Sequence, residues 1–243
     1  MLIQGTSITI MYKRIEGIKK AYYNNENILK EFFNEATVLP VPDEAPDEIP
    51  RILIKTLNEH AQLNISPIAT TFEIFYNDGF ERDWKACASY IFKRMEKIFE
   101  FLNMLTNNNY EYIGLVTRII FDDIKNDGSK QLADVLLKTD KIKKIHDINI
   151  KYTFVENNDI FVNIMLENAR VFNDNVNGNI AGELCNDNQQ AELIGIVIDV
   201  NDRYGFNNNA NYKSDSGKLK DLVDCMTNII KNKIYNLVKK GEY

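Results

Sequence analysis

The apolar positions of this chain fall into two kinds of run, one alternating as strands do and one recurring at steps of three and four as helices do. Met1 to Ile10 reads as a strand. Ile15 to Ala36 reads as a helix whose apolar positions are Ile15, Ile18, Tyr22, Ile28, Leu29 and Phe32. Arg51 to Lys55 and Gln62 to Ile65 read as paired strands around the turn Asn58-Glu59-His60, with a third strand over Thr70 to Tyr76. Asp78-Gly79-Phe80-Glu81 has capping-box spacing, and the helix after it carries Trp84, Ala88, Ile91, Met95, Ile98, Leu102 and Leu105 as one stripe, widened by Phe92 and Phe99. Asn107-Asn108-Asn109 ends it. Tyr110 to Phe121 then reads as a strand, Lys130 to Lys138 as a helix, and Ile148 to Val155 and Ile160 to Ala169 as strands joined by Glu156-Asn157-Asn158-Asp159. Phe172 to Gln190 reads as a long polar loop, Leu193 to Val200 as a buried strand, and Leu219 to Val238 as a terminal amphipathic helix.

Consecutive strands set apart from helices predict an α+β fold, mainly antiparallel sheets with amphipathic helices packed on them. The order suggests two related halves, 1–125 and 126–243, within one integrated unit. Four of the five prolines lie in the eleven residues 40–50 beside Asp43, Glu44, Asp47 and Glu48, which predicts a surface linker or wrapping arm.

Composition narrows the chemistry. The chain has two histidines, three cysteines, 31 asparagines, 31 isoleucines and a net charge of −6. Isolated, odd-numbered cysteines (Cys87, Cys185, Cys225) fit reduced thiols, and with no secretory start and no long apolar run they point to a cytoplasmic protein without a membrane segment. No HExxH, CxxC or paired Cys/His spacing occurs, so zinc, thiol and triad chemistry lack their residues. The net charge gives no indication of nucleic-acid binding. Residues 156–202 hold nine acids against Arg170, whereas 203–243 hold eight basic residues against four acidic; the simplest reading is that the two segments neutralise one another.

Two phosphate-binding motifs fail on inspection. Asp215-Ser216-Gly217-Lys218-Leu219 lacks the first glycine and the metal-binding hydroxyl of a P-loop and reads as a helix start. Gly128-Ser129 before Asp134-Val135-Leu136 has Leu136 where a nucleotidyltransferase needs its second carboxylate. The remaining enzymatic option is a set of strand-end carboxylates: Asp122 and Asp123 with Lys125 close one strand, and Asp199 and Asp202 close another. On adjacent strands they could converge on Mg²⁺ for nuclease-like phosphoryl transfer. The alternative role for Asp199 is pairing with Arg118 or Arg203.

Several segments carry a resemblance. Pro50-Arg51, His60-Ala61-Gln62-Leu63-Asn64-Ile65-Ser66-Pro67, the aromatic strand ending at Tyr76, the Trp84 helix, Tyr112-Ile113-Gly114-Leu115-Val116-Thr117-Arg118-Ile119 and Ile196-Val197-Ile198-Asp199-Val200 together resemble a sporadically distributed, uncharacterised bacterial family of similar length. That family has no assigned reaction, and its patchy occurrence implies a mobile-element or phage-defence setting. The residues themselves favour a non-catalytic protein-binding or assembly component without a cofactor. Its contact surfaces would be the proline-acid arm, the basic terminal helix and the Asn-rich loop, engaging a protein partner or a second copy.

Overall fold

A computed structural model describes residues 1–42, 44–77, 79–123, 128–137, 145–157, 159–172 and 189–243. Nine strands form one antiparallel sheet in the order β2-β3-β4-β5-β1-β6-β9-β8-β7. They are β1 (Leu2–Met11), β2 (Thr37–Val38), β3 (Ile52–Lys55), β4 (Ala61–Ile65), β5 (Ala69–Phe75), β6 (Tyr112–Phe121), β7 (Asn149–Glu156), β8 (Ile160–Phe172) and β9 (Gln189–Asn201). The helices are α1 (Ile18–Asn25), α2 (Trp84–Thr106), α3 (Gly128–Leu132), α4 (Arg203–Asn208), α5 (Lys218–Asn228) and α6 (Ile234–Lys240). The fold is α+β. Apart from the two-residue β2, the chain twice runs strand, helix and three-strand meander, followed by α2 in the first run and by α4, α5 and α6 in the second, and the opening strands of the two runs, β1 and β6, pair antiparallel at mid-sheet.

Alternation sorts the sheet into two faces. Ile8 and Ile10 of β1, Phe72 and Ile74 of β5, Ile113, Leu115 and Ile119 of β6, Val162, Ile164 and Leu166 of β8, and Ile194, Ile196 and Ile198 of β9 are all buried in a single core with the apolar stripes of α2, α5 and α6. Ile, the commonest apolar residue here, suits this surface because its branched side chain packs well on a pleat. Hydroxyls also sit within that face: Thr6 Oγ1 meets Thr117 Oγ1 at 3.2 Å across the β1–β6 seam. Trp84, 4% exposed, donates from Nε1 to Thr227 Oγ1 at 2.7 Å and ties α2 to α5.

Local chemistry moved several boundaries. The first helix stops at Asn25, whose Nδ2 donates to Ala21 O at 3.0 Å, and a 3₁₀ turn over Glu26–Ile28 replaces the rest of the expected span; Asn24, Asn25 and Asn27 favour such side-chain competition over helix. The N-cap of α2 is Asp83, accepting from the Lys85 and Ala86 amides at 2.9 and 3.2 Å, and Asp78, the first residue of the expected capping box, lies outside the described residues. Phe92 does not widen the buried stripe: it is 39% exposed, whereas Phe99 is buried. Gly128 and Ser129 are packing residues, with Ser129 N bonded to Glu192 Oε1 at 2.9 Å. Asp215 Oδ1 accepts from Gly217 N at 2.8 Å and starts α5. The last helical stretch is interrupted by a π-helical turn at Ile229–Lys233.

The proline-acid segment is anchored rather than free. Arg51, 2% exposed, donates to the carbonyls of Ile49 (2.6 Å) and Ala45 (2.9 Å), satisfying a buried cation with backbone oxygens. Lys19 Nζ reaches Val41 O at 2.9 Å and Arg14 pairs with Asp47 at 3.0 Å. The basic and acidic segments do meet within the fold: Lys218 pairs with Asp159 at 2.6 Å and Lys233 with Glu156 at 2.9 Å. Among the described residues no helix is long and apolar enough to cross a membrane.

Candidate functional site

The opposite face of the sheet carries different chemistry. One row across it, read from the strand registers, is Lys55, Gln62, Glu73, Ser7, Val116, Asp199, Asn163 and Thr153. An amide and a carboxylate thus flank the central β1–β6 pair on each side in mirrored order. The next row is Leu53, Asn64, Thr71, Thr9, Gly114, Asn201, Phe161 and Val155. Hydrogen bonds link these groups: Thr153 donates to Asn163, Asn163 and Asn201 donate to the two Asp199 oxygens at 3.1 and 2.9 Å, and Gln62 donates to Asn64 at 2.6 Å. Thr9 Oγ1 and Thr71 Oγ1 lie 3.2 Å apart.

Among the described residues α4 is the helix with ring contacts on this face. Tyr204 packs edge-on against Phe161 with centroids 5.0 Å apart, Phe206 meets Tyr112 at 5.8 Å, and the Arg203 guanidinium lies 5.5 Å from the Tyr112 ring centre. Asp202 anchors the turn into α4. Its buried carboxylate accepts from Ile113 N (2.6 Å), Tyr212 OH (2.7 Å) and Ser214 Oγ (2.5 Å). Burial pushes its carboxyl pKa up, against the pull of those three donors. Gly205 leaves room for the Tyr212 ring, which a Cβ there would meet at 2.6 Å.

At the centre of the face a groove of about 510 Å³ is lined by Gln4, Gly5, Ser7, Glu73, Phe75 and Arg118 together with Val116. Such a volume lies within the roughly 300–1,000 Å³ of small-ligand pockets. The pairing of β1 with β6 slips between Ile3 and Gly5, leaving Gln4 as the extra residue of a bulge. Gly5 is required because a Cβ would sit 2.6 Å from Ile74 O, and its missing side chain opens a slot between Phe75 and Arg118, the residues paired with it on either side. Those two backbones are two strand spacings apart, about 9 to 10 Å. Phe75 is 66% exposed, and among the described residues the side chains of Gln4, Ser7 and Arg118 have no hydrogen-bond or ionic partner.

The strand-end carboxylates, which could have converged on adjacent strands, do not. β6 and β9 are neighbours, but they run antiparallel, so the end of β6 meets the start of β9. Asp199 lies opposite Val116, six residues from Asp122, or about 20 Å at ~3.4 Å per residue; Asp202, bonded to Ile113, is farther still. Asp122 binds the Met1 amine and Arg82 Nη2, which with that amine hold its carboxyl well below the usual range, and Asp123 takes a second contact from the same amine. Lys125 lies outside the described residues. Asp199 pairs with amides rather than with Arg118 or Arg203. Among the described residues no three His, Cys, Asp or Glu side chains are grouped to hold a metal ion. Burial pushes the Cys87 and Cys225 thiols up to about 12, leaving them protonated near neutrality. Cys185 and most of the Asn-rich loop lie outside the described residues.

The open face escaped sequence reasoning because its members are scattered over six strands and are individually ordinary Ser, Thr, Asn and Gln. The signal the sequence does carry is the polar half of each alternation. No family model, curated protein or solved structure matches the chain.

Proposed function

We propose that the chain is a cytoplasmic, non-catalytic protein-binding component that docks a protein partner on the open face of its sheet, with no cofactor taking part. One observation carries this reading: the helices supply the apolar core on one face, while the other presents two linked rows of amides and hydroxyls around the seam between the two halves. Amide and hydroxyl groups in fixed hydrogen-bonded positions offer directional contacts to another protein's backbone and polar side chains, and they raise no phosphate-attracting field. The four candidate carboxylates are occupied in holding amides, termini and turns, which fits a structural rather than a catalytic use. A mobile-element or phage-defence setting, implied by the resemblance, identifies where to look for the partner.

The test is light scattering on the purified full chain, alone and mixed with each protein encoded beside it. Complex formation that Thr9→Arg and Thr71→Arg abolish, but Lys93→Glu on the exposed side of α2 leaves intact, is the expected result. A chain that binds none of them, or binds one equally well with both arginines installed, defeats the reading.

A further inference from the structure

We propose that the slot between Phe75 and Arg118 is a carboxylate-binding site for a carboxylate carried next to a planar apolar group. The inference rests on the open face being a binding face. Its row reads Phe75, Gly5, Arg118, Val197, Met165 and Lys151, so an exposed ring and a guanidinium face each other across a residue with no side chain. Arg118 is exposed and has no ionic or hydrogen-bond partner among the described residues. An arginine fork presents parallel N–H donors that match the two oxygens of a carboxylate. Ser7 and the bulged Gln4, also unpartnered among the described residues, line the same groove and add neutral donors.

Charge selects carboxylate over phosphate. Glu73 lines the groove with Arg118, so the site holds one cation and one anion. A phosphate dianion would double both its attraction to Arg118 and its repulsion from Glu73, which offset one another, while its desolvation cost grows faster than its charge; a monoanion is matched by the single guanidinium at a smaller desolvation cost. The exposed face of Phe75 supplies the apolar wall, and the groove volume of about 510 Å³ accommodates a ring bearing one carboxylate. Two sources present this chemistry: a free aromatic acid, or the C-terminal aromatic residue of a protein partner.

Calorimetry and ligand-observed NMR on the full chain decide it, with phenylacetate, phenylacetamide, phenyl phosphate, N-acetyl-Gly-Phe and its C-terminal amide as probes. At least one carboxylate probe should saturate the protein, its amide should bind roughly tenfold or more weakly, and Arg118→Gln should cause a similar loss, as expected for removing a charge-assisted hydrogen bond. Phe75→Ala should weaken binding by about three- to tenfold through lost ring contact. Phenyl phosphate should bind more weakly than phenylacetate and gain on Glu73→Gln. Arg118 and Phe75 are exposed, so circular dichroism of both variants should match the parent. Tighter binding of phenylacetate assigns the free acid, and tighter binding of the peptide assigns a chain terminus. The proposal is overturned if no carboxylate probe saturates, if Arg118→Gln binds as the parent does, or if phenyl phosphate binds best. Partner docking that survives Arg118→Gln while every probe fails would remove the slot and leave the docking face standing; probe binding through Arg118 by a chain that captures no partner would do the reverse.

Discussion

The two faces of the sheet are made from the same strands yet obey different rules. On the helix-covered face most positions are filled by a branched or aromatic apolar side chain, and a lost methylene leaves a void that the surrounding core closes only in part. On the open face the same strands carry Thr, Asn and Gln side chains that bond to neighbouring polar groups, and water can replace a partner that is removed. Ile8 and Thr9, adjacent in β1, make the contrast within one peptide unit. One face specifies the fold, and the other is free to vary with what it meets.

Substitutions break this contrast in graded steps. Trp84→Ala on the covered side removes both core volume and the bond to Thr227, and should cost about 3 to 5 kcal/mol in urea unfolding. An unchanged midpoint would mean that the α2 stripe does not bear on the core. Asp202→Ala, at the turn where the chain leaves the sheet for the open face, strips three buried donors of their acceptor and should cost about 3 kcal/mol. Asp202→Asn retains one oxygen and should cost less; equal losses would show that the charge, not the acceptor geometry, matters.

At the rim of the covered face, Lys233→Met should lower stability by about 1 kcal/mol near neutrality. Burial would raise the Glu156 pKa, but Lys233, Cys225 and Tyr243 together hold it below its ordinary value. A depressed folded-state pKa stabilises above the unfolded value and loses that contribution as pH falls through the folded one, so the gap between parent and variant should close on the acid side of about 4. A gap that stays constant on acidification would break the assignment. Thr9→Val and Thr71→Val on the open face should each change stability by no more than about 0.5 kcal/mol, because the lost hydroxyl contact is weak and partly solvated. A larger loss would mean that the open face also holds the sheet together.

Much of the covered face was legible in the sequence. The 3.6-residue stripe from Trp84 to Leu102 and the alternation in β3, β4, β5 and β9 reflect burial directly, and burial is what an apolar residue reports. Register was not legible. Whether Asp122 meets Asp199 depends on strand direction, and no residue within either strand states it. The anchoring of the proline-acid segment by Arg51 was hidden for a related reason, since its acceptors are backbone carbonyls and carry no residue signature. The bulge at Gln4 and the slot beside Gly5 require knowing which strands lie on either side of β1.

The placement of β1 also governs how the protein reaches its native state. Leu2 pairs with Ile120, so the middle strand of the sheet must wait for a partner more than a hundred residues along the chain. Its other partner, β5, arrives earlier, which allows the first meander to form before the seam closes. Contacts of such sequence separation carry a large loop-closure entropy before any burial compensates it, and they place this topology among slow folders, on the millisecond-to-second scale. During that interval the β1 edge facing β6 is an unpaired ladder flanked by Ile3, Ile8 and Ile10, a strand that another unfinished chain could occupy.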